Sequence, residues 1–176
     1  AMNPKTGGVT AVVGGRGKHV FRGFNRATQM RRQPGSTIKP IVVYAPALEH
    51  GYFYDSELQD KKQSYGTNNY TPKNYDDTYS GKVPMYKALY ESLNAPAVWL
   101  LNKIGVNQGY KMAEKFGLPV EKGDKNLALA LGGMTKGVSP QQIARAYATF
   151  DNDGQMPTPY YITKIEDASG KVVAQN

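Results

Sequence analysis

The chain has 176 residues, no cysteine and a formal net charge of +8 at pH 7. This length suits one domain with a hydrophobic core, and a composition of 40% hydrophobic and 20% charged residues argues against a disordered chain. Without cysteine there is no disulfide or thiolate metal site, and without an apolar run of about 18 residues no transmembrane helix is predicted.

The net positive charge lies entirely in the first quarter of the sequence. The first 48 residues contain eight Lys and Arg residues and no Asp or Glu, whereas acidic and basic residues cancel in the remainder. Three interpretations are open at this point: a solvated basic face, a site for an anionic ligand, or a surface that meets nucleic acid or membrane.

The N-terminal half is predicted to contain two short strands, one buried helix and one long loop. The strands fall at residues 9–13 and 20–21, around a turn rich in Gly, Arg and Lys. Apolar residues at 36–49 extend nearly all the way round a helix, within which Pro46 lacks a backbone N–H and is expected to kink or end it. Residues 51–82 are polar and aperiodic, which predicts a loop whose tyrosines either pack it down, the favoured interpretation, or line a groove.

The C-terminal half is predicted to be helical before it ends in a hairpin. Helical signals occur at 84–93, 95–104 and 107–116, with a break at Asn94. Ser139 caps a further helix, in which the spacing of Ile143, Tyr147 and Phe150 predicts one buried stripe. Two apolar runs at 161–165 and 171–174 predict the hairpin. This order of elements predicts an α+β fold in which helices cover a sheet.

One serine has the spacing of an activated nucleophile. Of seven serines, only Ser36 has a lysine three residues later, Lys39, on the same face of the predicted helix. A serine at a helix N-terminus has its developing oxyanion near unpaired N–H groups, and both burial and nearby cations lower a lysine pKa and favour the free base. The alternative is a capping serine followed by an exposed lysine. No acidic residue is placed to orient His19 or His50, so both are interpreted as structural or surface histidines.

A second motif, Ser92-Leu93-Asn94, stands at the break between two predicted helices. It is the one Ser-x-Asn in the chain. At such a break a hydroxyl and an amide can face one cleft, where Ser92 relays a proton and Asn94 holds a peptide group of a substrate. The alternative for Asn94 is a helix cap before Ala95.

With these two motifs the sequence resembles the penicillin-binding proteins, most closely the transpeptidase domain of the bifunctional, class A kind. The likeness covers nearly the whole chain, in residues 6–15, 32–40, 70–75, 92–98, 130–133 and 137–140. It implies a penicillin-binding or serine β-lactamase-like transpeptidase fold, an antiparallel sheet flanked by helices. Residues 1–176 would form part of that domain, and the fold would be incomplete in this chain.

The resemblance also implies acyl transfer in peptidoglycan cross-linking. Ser36 would attack the penultimate D-Ala carbonyl of a stem peptide ending in D-Ala-D-Ala, with Lys39 as the base. Ser92 would help protonate the departing D-Ala, and Asn94 would bind the substrate. Stem peptides and β-lactams are the expected partners; no cofactor, metal or nucleic acid is expected. The expected place is the outer face of the bacterial cytoplasmic membrane, with this segment soluble and the parent protein anchored.

The third motif of the family, Lys-Thr-Gly, does not follow Asn94. Lys5-Thr6-Gly7 precedes Ser36, where the family has its opening strand, and is interpreted as a coincidence. We expect the sequence to stop short of the closing strands, so that a second polypeptide or a missing C-terminal segment supplies the motif. The chain alone is then expected to be inactive.

Four alternative functions remain at this stage. A serine β-lactamase is disfavoured because no Glu-x-x-Leu-Asn follows Asn94. A D,D-carboxypeptidase differs only in its acceptor, and a non-catalytic β-lactam sensor would keep Ser36 and Lys39 without releasing the acyl group. A basic polyanion-binding module would explain the charge, but no known basic motif is present.

Overall fold

The computed structural model describes residues 1–18 and 20–175, so His19 and its interpretation lie outside the described residues. The chain divides into two units. The larger one is Arg31–Val138, and the smaller one combines Ala1–Met30 with Ser139–Asn176.

In the larger unit, the helix predicted at 36–49 is present but is not one regular α-helix. It consists of a 3₁₀ turn at Gly35–Ile38, a π-helical turn at Pro40–Tyr44 and an α-helix, α1, at Ala45–Glu49. Its burial is confirmed, since five apolar side chains in it are completely inaccessible: Ile38, Ile41, Val42, Val43 and Ala47. Pro46 does not end the helix, because it lies in the first turn of α1, where its missing N–H coincides with the change from π to α bonding.

The polar stretch predicted as one loop contains a strand. Strand β1 (Glu57–Asp60) pairs antiparallel with β2 (Gly81–Pro84), with Leu58 opposite Val83 and both side chains buried. The strand is too short and too polar to show a period-2 pattern in the sequence. The packing prediction for the tyrosines holds only in part, because Tyr65 is buried whereas Tyr54 and Tyr75 are exposed.

Three predicted helices of the larger unit are confirmed: α2 (Met85–Tyr90), α3 (Asn94–Ile104) and α4 (Val106–Lys115). Helix α3 is the centre of the unit and packs against β1, the π-helical turn and a 3₁₀ helix at Leu127–Leu131. Helix α4 approaches the π-helical turn closely at Gly109, where a Cβ atom would lie 2.5 Å from the carbonyl oxygen of Val42.

In the smaller unit, α5 (Pro140–Phe150) begins as predicted. The Ser139 hydroxyl accepts from the Gln142 N–H, and the Gln142 side chain accepts from the Ser139 N–H. The predicted buried stripe is wrong. Tyr147 and Phe150 are 39% and 48% exposed, and their rings meet edge to face at 6.0 Å. Small side chains are buried instead, since they permit close packing: Ala146, Ala148 and Thr149.

The two N-terminal strands are not found in the described residues 1–18 and 20–30. Only isolated bridges occur there, between Met2 and Val9 and between Gly8 and Tyr160. Glycines flank and separate the two apolar runs, and Val13 and Phe21 are 77% and 89% exposed, so no buried face forms. The C-terminal hairpin is confirmed as β3 (Lys164–Glu166) paired with β4 (Val172–Gln175). Two antiparallel pairs and several helices fit the predicted α+β class.

Among the residues that the structure describes, no helix has the length and apolar character needed to cross a membrane.

Candidate active site

Lys39 is a buried amine surrounded by oxygen atoms in the larger unit. Only 1% of the residue is exposed. Its Nζ contacts four oxygens: Ser92 O at 2.6 Å, Asn94 Oδ1 at 2.7 Å, Leu93 O at 3.1 Å and Ser92 Oγ at 3.3 Å. An ammonium has three N–H donors, so these oxygens share them. The amine is thus fixed in place at the end of a long, otherwise flexible side chain.

Burial lowers the pKa of Lys39 from its ordinary value of 10.5 to about 8. Among the described residues, burial is the cause of this lowered pKa. The contribution that the sequence led us to expect from neighbouring cations is not found there. With a pKa near 8, about a tenth of the amine is neutral at pH 7. A neutral amine has a lone pair, so Lys39 can act as a base near neutral pH.

Ser36 lies on the same helical turn as Lys39 and is exposed. The Lys39 backbone N–H donates to the Ser36 carbonyl and closes the 3₁₀ turn at Gly35–Ile38. Side chains three residues apart eclipse each other in this geometry, so the hydroxyl and the amine share one face. The structure therefore has an exposed serine one turn from a buried lysine, and the transfer of a proton between them stays a prediction.

Gly132 supports the turn that precedes Ser36. Gly132 has a φ of +86°, and a Cβ atom there would lie 2.4 Å from the Gly35 backbone nitrogen. The backbone at Gly35, itself at φ +57°, therefore rests directly on Gly132. The sequence alone assigned no role to residues 130–133, which were noted only as part of the resemblance. The structure gives one of them, Gly132, a steric role.

Replacing Gly132 with alanine is expected to destabilise the protein by roughly 2–4 kcal/mol, because backbone strain adds to a clash with the turn. Urea unfolding measures the effect. Gly123→Ala is the matched control, since a Cβ atom there meets only Thr135 Oγ1 at 3.8 Å. Equal losses for the two variants would contradict a specific role for Gly132.

Ser92 and Asn94 contact Lys39 from the start of α3. Ser92 has a φ of +55°, in the left-handed region that non-glycine residues seldom occupy. Its carbonyl and hydroxyl both face the Lys39 amine. Asn94 Nδ2 donates to the Lys73 carbonyl at 2.7 Å, so both ends of the Asn94 amide are bound within the protein. Its predicted contact with substrate stays a prediction.

Two side chains next to the site were missed by sequence reasoning. Asn74 Oδ1 accepts from the backbone N–H groups of Asn94 and Ala95, and Asp60 accepts from Asn74. These contacts join residues 14 to 21 positions apart, so no spacing signal marks them. The resemblance to residues 70–75 included Asn74 without giving it a role.

Lys5-Thr6-Gly7 lies in a turn of the smaller unit, not in a strand. Lys5 Nζ donates to the Asp151 carbonyl at 2.6 Å. The Thr6 hydroxyl accepts from the Gly8 N–H at 3.2 Å. The Thr6 side chain is thus used within the local turn, whereas the Lys5 side chain contacts the residue that follows α5.

The site combines the exposed Ser36 hydroxyl, the buried Lys39 amine and the Ser92 hydroxyl beside that amine, which are residue types that acyl transfer can use. The comparison with known proteins decides the family. All residues, 1–176, match the family model described as "Penicillin binding protein transpeptidase domain". The chain belongs to the penicillin-binding protein transpeptidase family.

Relatives and a solved structure agree with this assignment. Penicillin-binding protein 1F of Bacillus subtilis is 48% identical over 99% of this chain and 24% of that protein. Penicillin-binding protein 2a of Streptococcus pneumoniae is 47% identical over 100% of this chain and 24% of that protein. The crystal structure of penicillin-binding protein 1A from Haemophilus influenzae superposes with a TM-score of 0.78, at 37% identity, over 87% of this chain and 23% of that chain.

These matches confirm the penicillin-binding transpeptidase fold predicted from the motifs, of the class A kind. The chain spans about a quarter of the length of these relatives.

Proposed function

We propose that this chain carries the nucleophile of a D,D-transpeptidase, with Ser36 forming an acyl-enzyme from stem peptides ending in D-Ala-D-Ala. The observation that carries the proposal is the buried Lys39 amine, held by Ser92 and Asn94 one helical turn from the exposed Ser36. Membership of the transpeptidase family supports the same reaction class.

In the first half of the reaction Lys39 acts as the general base. A neutral lysine has two N–H donors and one lone pair, and the two shortest contacts, to Ser92 O and Asn94 Oδ1, use the donors. The lone pair then takes the proton of the Ser36 hydroxyl as its oxygen attacks the penultimate D-Ala carbonyl. A C–O bond forms, and the carbonyl oxygen becomes an oxyanion.

Collapse of this tetrahedral intermediate breaks the C–N bond to the last D-Ala. The departing amine needs a proton, and the Ser92 hydroxyl, 3.3 Å from Lys39 Nζ, passes it on from the lysine. An amine of a second stem peptide then attacks the acyl carbonyl, so that a new C–N bond forms and the bond from the Ser36 oxygen to that carbon breaks. The proton that the amine loses returns through Ser92 and Lys39 to the Ser36 oxygen. A β-lactam acylates Ser36 by the same attack, but its opened ring stays attached and the enzyme stalls.

The proposal includes a segment that carries Lys-Thr-Gly, on this polypeptide or on another. No such triplet follows Asn94 in the 176 residues. We place the reaction at the outer face of the bacterial cytoplasmic membrane, where peptidoglycan is assembled, with the protein anchored there. Asn94 is proposed to meet the substrate peptide once the substrate displaces one of its present contacts.

Labelling with fluorescent penicillin tests this proposal. The test compares the 176-residue chain alone with a polypeptide that contains it together with a Lys-Thr-Gly segment. We expect covalent label on Ser36, located by mass spectrometry, in the second sample only. Strong labelling of the chain alone would contradict the need for the segment. Turnover of a D-Ala-D-Ala peptide with an amine or with water as acceptor then separates transpeptidation from carboxypeptidation.

The acylation rate is expected to rise with pH through a midpoint near 8, because the neutral fraction of Lys39 grows as pH passes its pKa. The oxygens that contact Lys39 belong to Ser92, Leu93 and Asn94, and none of these groups titrates between about pH 6 and 10. Single-turnover labelling at a series of pH values measures the profile. A flat rate across this range would exclude Lys39 as the base.

A further inference from the structure

Asn74 joins the start of α3 to a buried carboxylate in the larger unit. Its Oδ1 accepts from the backbone N–H groups of Asn94 at 2.9 Å and Ala95 at 3.0 Å. Its Nδ2 donates to Asp60 Oδ1 at 2.7 Å and to the Thr78 carbonyl at 2.9 Å. The residue is only 4% exposed, so water competes little for these bonds.

The amide of Asn74 can take only one orientation. Its oxygen faces two N–H donors, and its nitrogen faces two acceptors, Asp60 and the Thr78 carbonyl. A reversed amide would set donor against donor at α3 and acceptor against acceptor at Asp60. Because both carboxylate oxygens of Asp60 accept from N–H donors, Asp60 helps to fix which end of Asn74 points to the helix.

Asp60 is itself held by the β-hairpin. It is the last residue of β1, is 1% exposed, and its second oxygen accepts from the Ser80 N–H at 2.8 Å. The orientation of Asn74 is therefore set partly from outside its own loop, by the last residue of β1 and by the start of α3.

The residue next to Asn74 fixes the side chain of Asn94. The Lys73 carbonyl accepts from Asn94 Nδ2 at 2.7 Å, which leaves Asn94 Oδ1 facing Lys39 Nζ at 2.7 Å. Were this amide reversed, its NH₂ would face the ammonium, donor against donor. Two consecutive residues thus hold Asn94: the Asn74 side chain binds its backbone, and the Lys73 carbonyl binds its side chain.

These contacts exceed what a helix cap alone requires. Leu93, which precedes α3, has no side-chain acceptor, so Asn74 does provide the cap from a distant segment. A cap would not need the Lys73 contact with the Asn94 side chain, nor a buried carboxylate that orients Asn74. The chain of bonds from Asp60 leads through Asn74 and Asn94 to the amine of Lys39.

We propose that Asp60, the Lys73 carbonyl and Asn74 form a positioning clamp that holds Asn94 and thereby aims the Lys39 amine at Ser36. The inference rests on the proposed function for its role in the reaction. Its members touch neither the nucleophile nor the base; they act through Asn94, and the Lys39 contact with Asn94 Oδ1 depends on them.

Two variants test the clamp. Asp60→Asn keeps the shape but sets an amide NH₂ against Asn74 or Ser80, and Asn74→Leu removes the amide at similar size. If Asn74→Leu fails to fold, the result for Asp60→Asn alone tests the clamp. The control is Asp124→Asn, which removes a carboxylate that is 2% exposed. This carboxylate accepts from Glu121 N and from Thr135 N and Oγ1, and it contacts none of the residues at Lys39.

The decisive measurement is the titration midpoint of Lys39, followed by NMR of labelled lysine and assigned by its loss in Lys39→Met. We expect a lower midpoint in Asp60→Asn and Asn74→Leu, because an ammonium that loses an acceptor releases its proton more readily. Asp124→Asn should keep the wild-type midpoint. A wild-type midpoint in both clamp variants, with thermal stability lowered as in the control, would overturn the proposal.

The acylation rate is measured in parallel, in a polypeptide that contains the chain and a Lys-Thr-Gly segment. We expect the clamp variants to acylate about 10- to 100-fold more slowly, through the covalent step and not through penicillin affinity, because a misplaced base acts on that step. If the wild type is not acylated at Ser36, the proposed function is wrong. The titration midpoint of Lys39 still tests whether the clamp holds Asn94 against the Lys39 amine.

Discussion

Replacing Ser36 with alanine is expected to reduce covalent labelling by penicillin to background. The hydroxyl oxygen is the atom that forms the acyl bond, and the other hydroxyl on the 3₁₀ turn at Gly35–Ile38, that of Thr37, donates to the Pro34 carbonyl at 2.7 Å. Removal of a nucleophile abolishes the covalent intermediate itself rather than slowing its formation. Gel fluorescence and mass spectrometry of the peptide containing residue 36 measure the result, in a polypeptide that includes a Lys-Thr-Gly segment.

Two further serine variants show whether the loss is specific. Ser64→Ala changes an exposed serine whose hydroxyl bonds only Thr71 and should label at the wild-type rate. Ser92→Ala keeps the nucleophile and the base, so label should still reach Ser36, but more slowly. Full labelling of Ser36→Ala would mean that another residue is the nucleophile, and it would contradict the proposed function.

Replacing Lys39 with arginine is expected to slow acylation by about a thousandfold, the scale of a lost general base. Arginine keeps a positive charge and hydrogen-bond donors, but it does not release its proton near neutral pH. The variant therefore separates the proton-transfer role of Lys39 from its electrostatic role. Single-turnover labelling at pH 8 compares it with the wild type.

Lys103→Arg is the control for the lysine experiment. Lys103 is an exposed residue in the last turn of α3, where its amine lies over the Trp99 ring, and arginine is accommodated there. It should leave both the acylation rate and the unfolding temperature unchanged. A Lys39→Arg variant that folds and acylates within tenfold of the wild type would refute general-base catalysis by Lys39.

The sequence predicted those parts of the site whose partners are close along the chain. Ser36 and Lys39 are one helical turn apart, and Ser92 and Asn94 are two residues apart, so each pair is a short motif visible in the sequence. Spacing alone is a weak signal, and the setting of each motif strengthened it. The resemblance implied that the two pairs lie in one site. In the structure the Lys39 amine contacts the carbonyl and the hydroxyl of Ser92. Asp60 escaped notice because a polar four-residue strand has no readable periodicity.

The errors in the fold have a common physical origin. Residues 9–13 and 20–21 have strand-forming side chains, but strand formation needs a partner and a buried face, and the described structure offers them only isolated bridges. In α5 the aromatic residues were assigned to the core because of their size, yet small side chains let the helix pack closely and left Tyr147 and Phe150 outside. Tertiary packing decided both cases.

The burial of Lys39 has a consequence for the free energy of folding. In the unfolded chain its amine would keep a proton up to a pH near 10.5, whereas in the folded protein the proton leaves near pH 8. Between these values the unfolded state binds more protons, so this group makes folding more favourable as the pH rises. Below pH 8 the folded protein carries the whole unfavourable contribution of a buried ammonium, partly offset by its oxygen contacts. At pH values below about 8, the buried lysine that we propose as the base therefore lowers the stability of the fold.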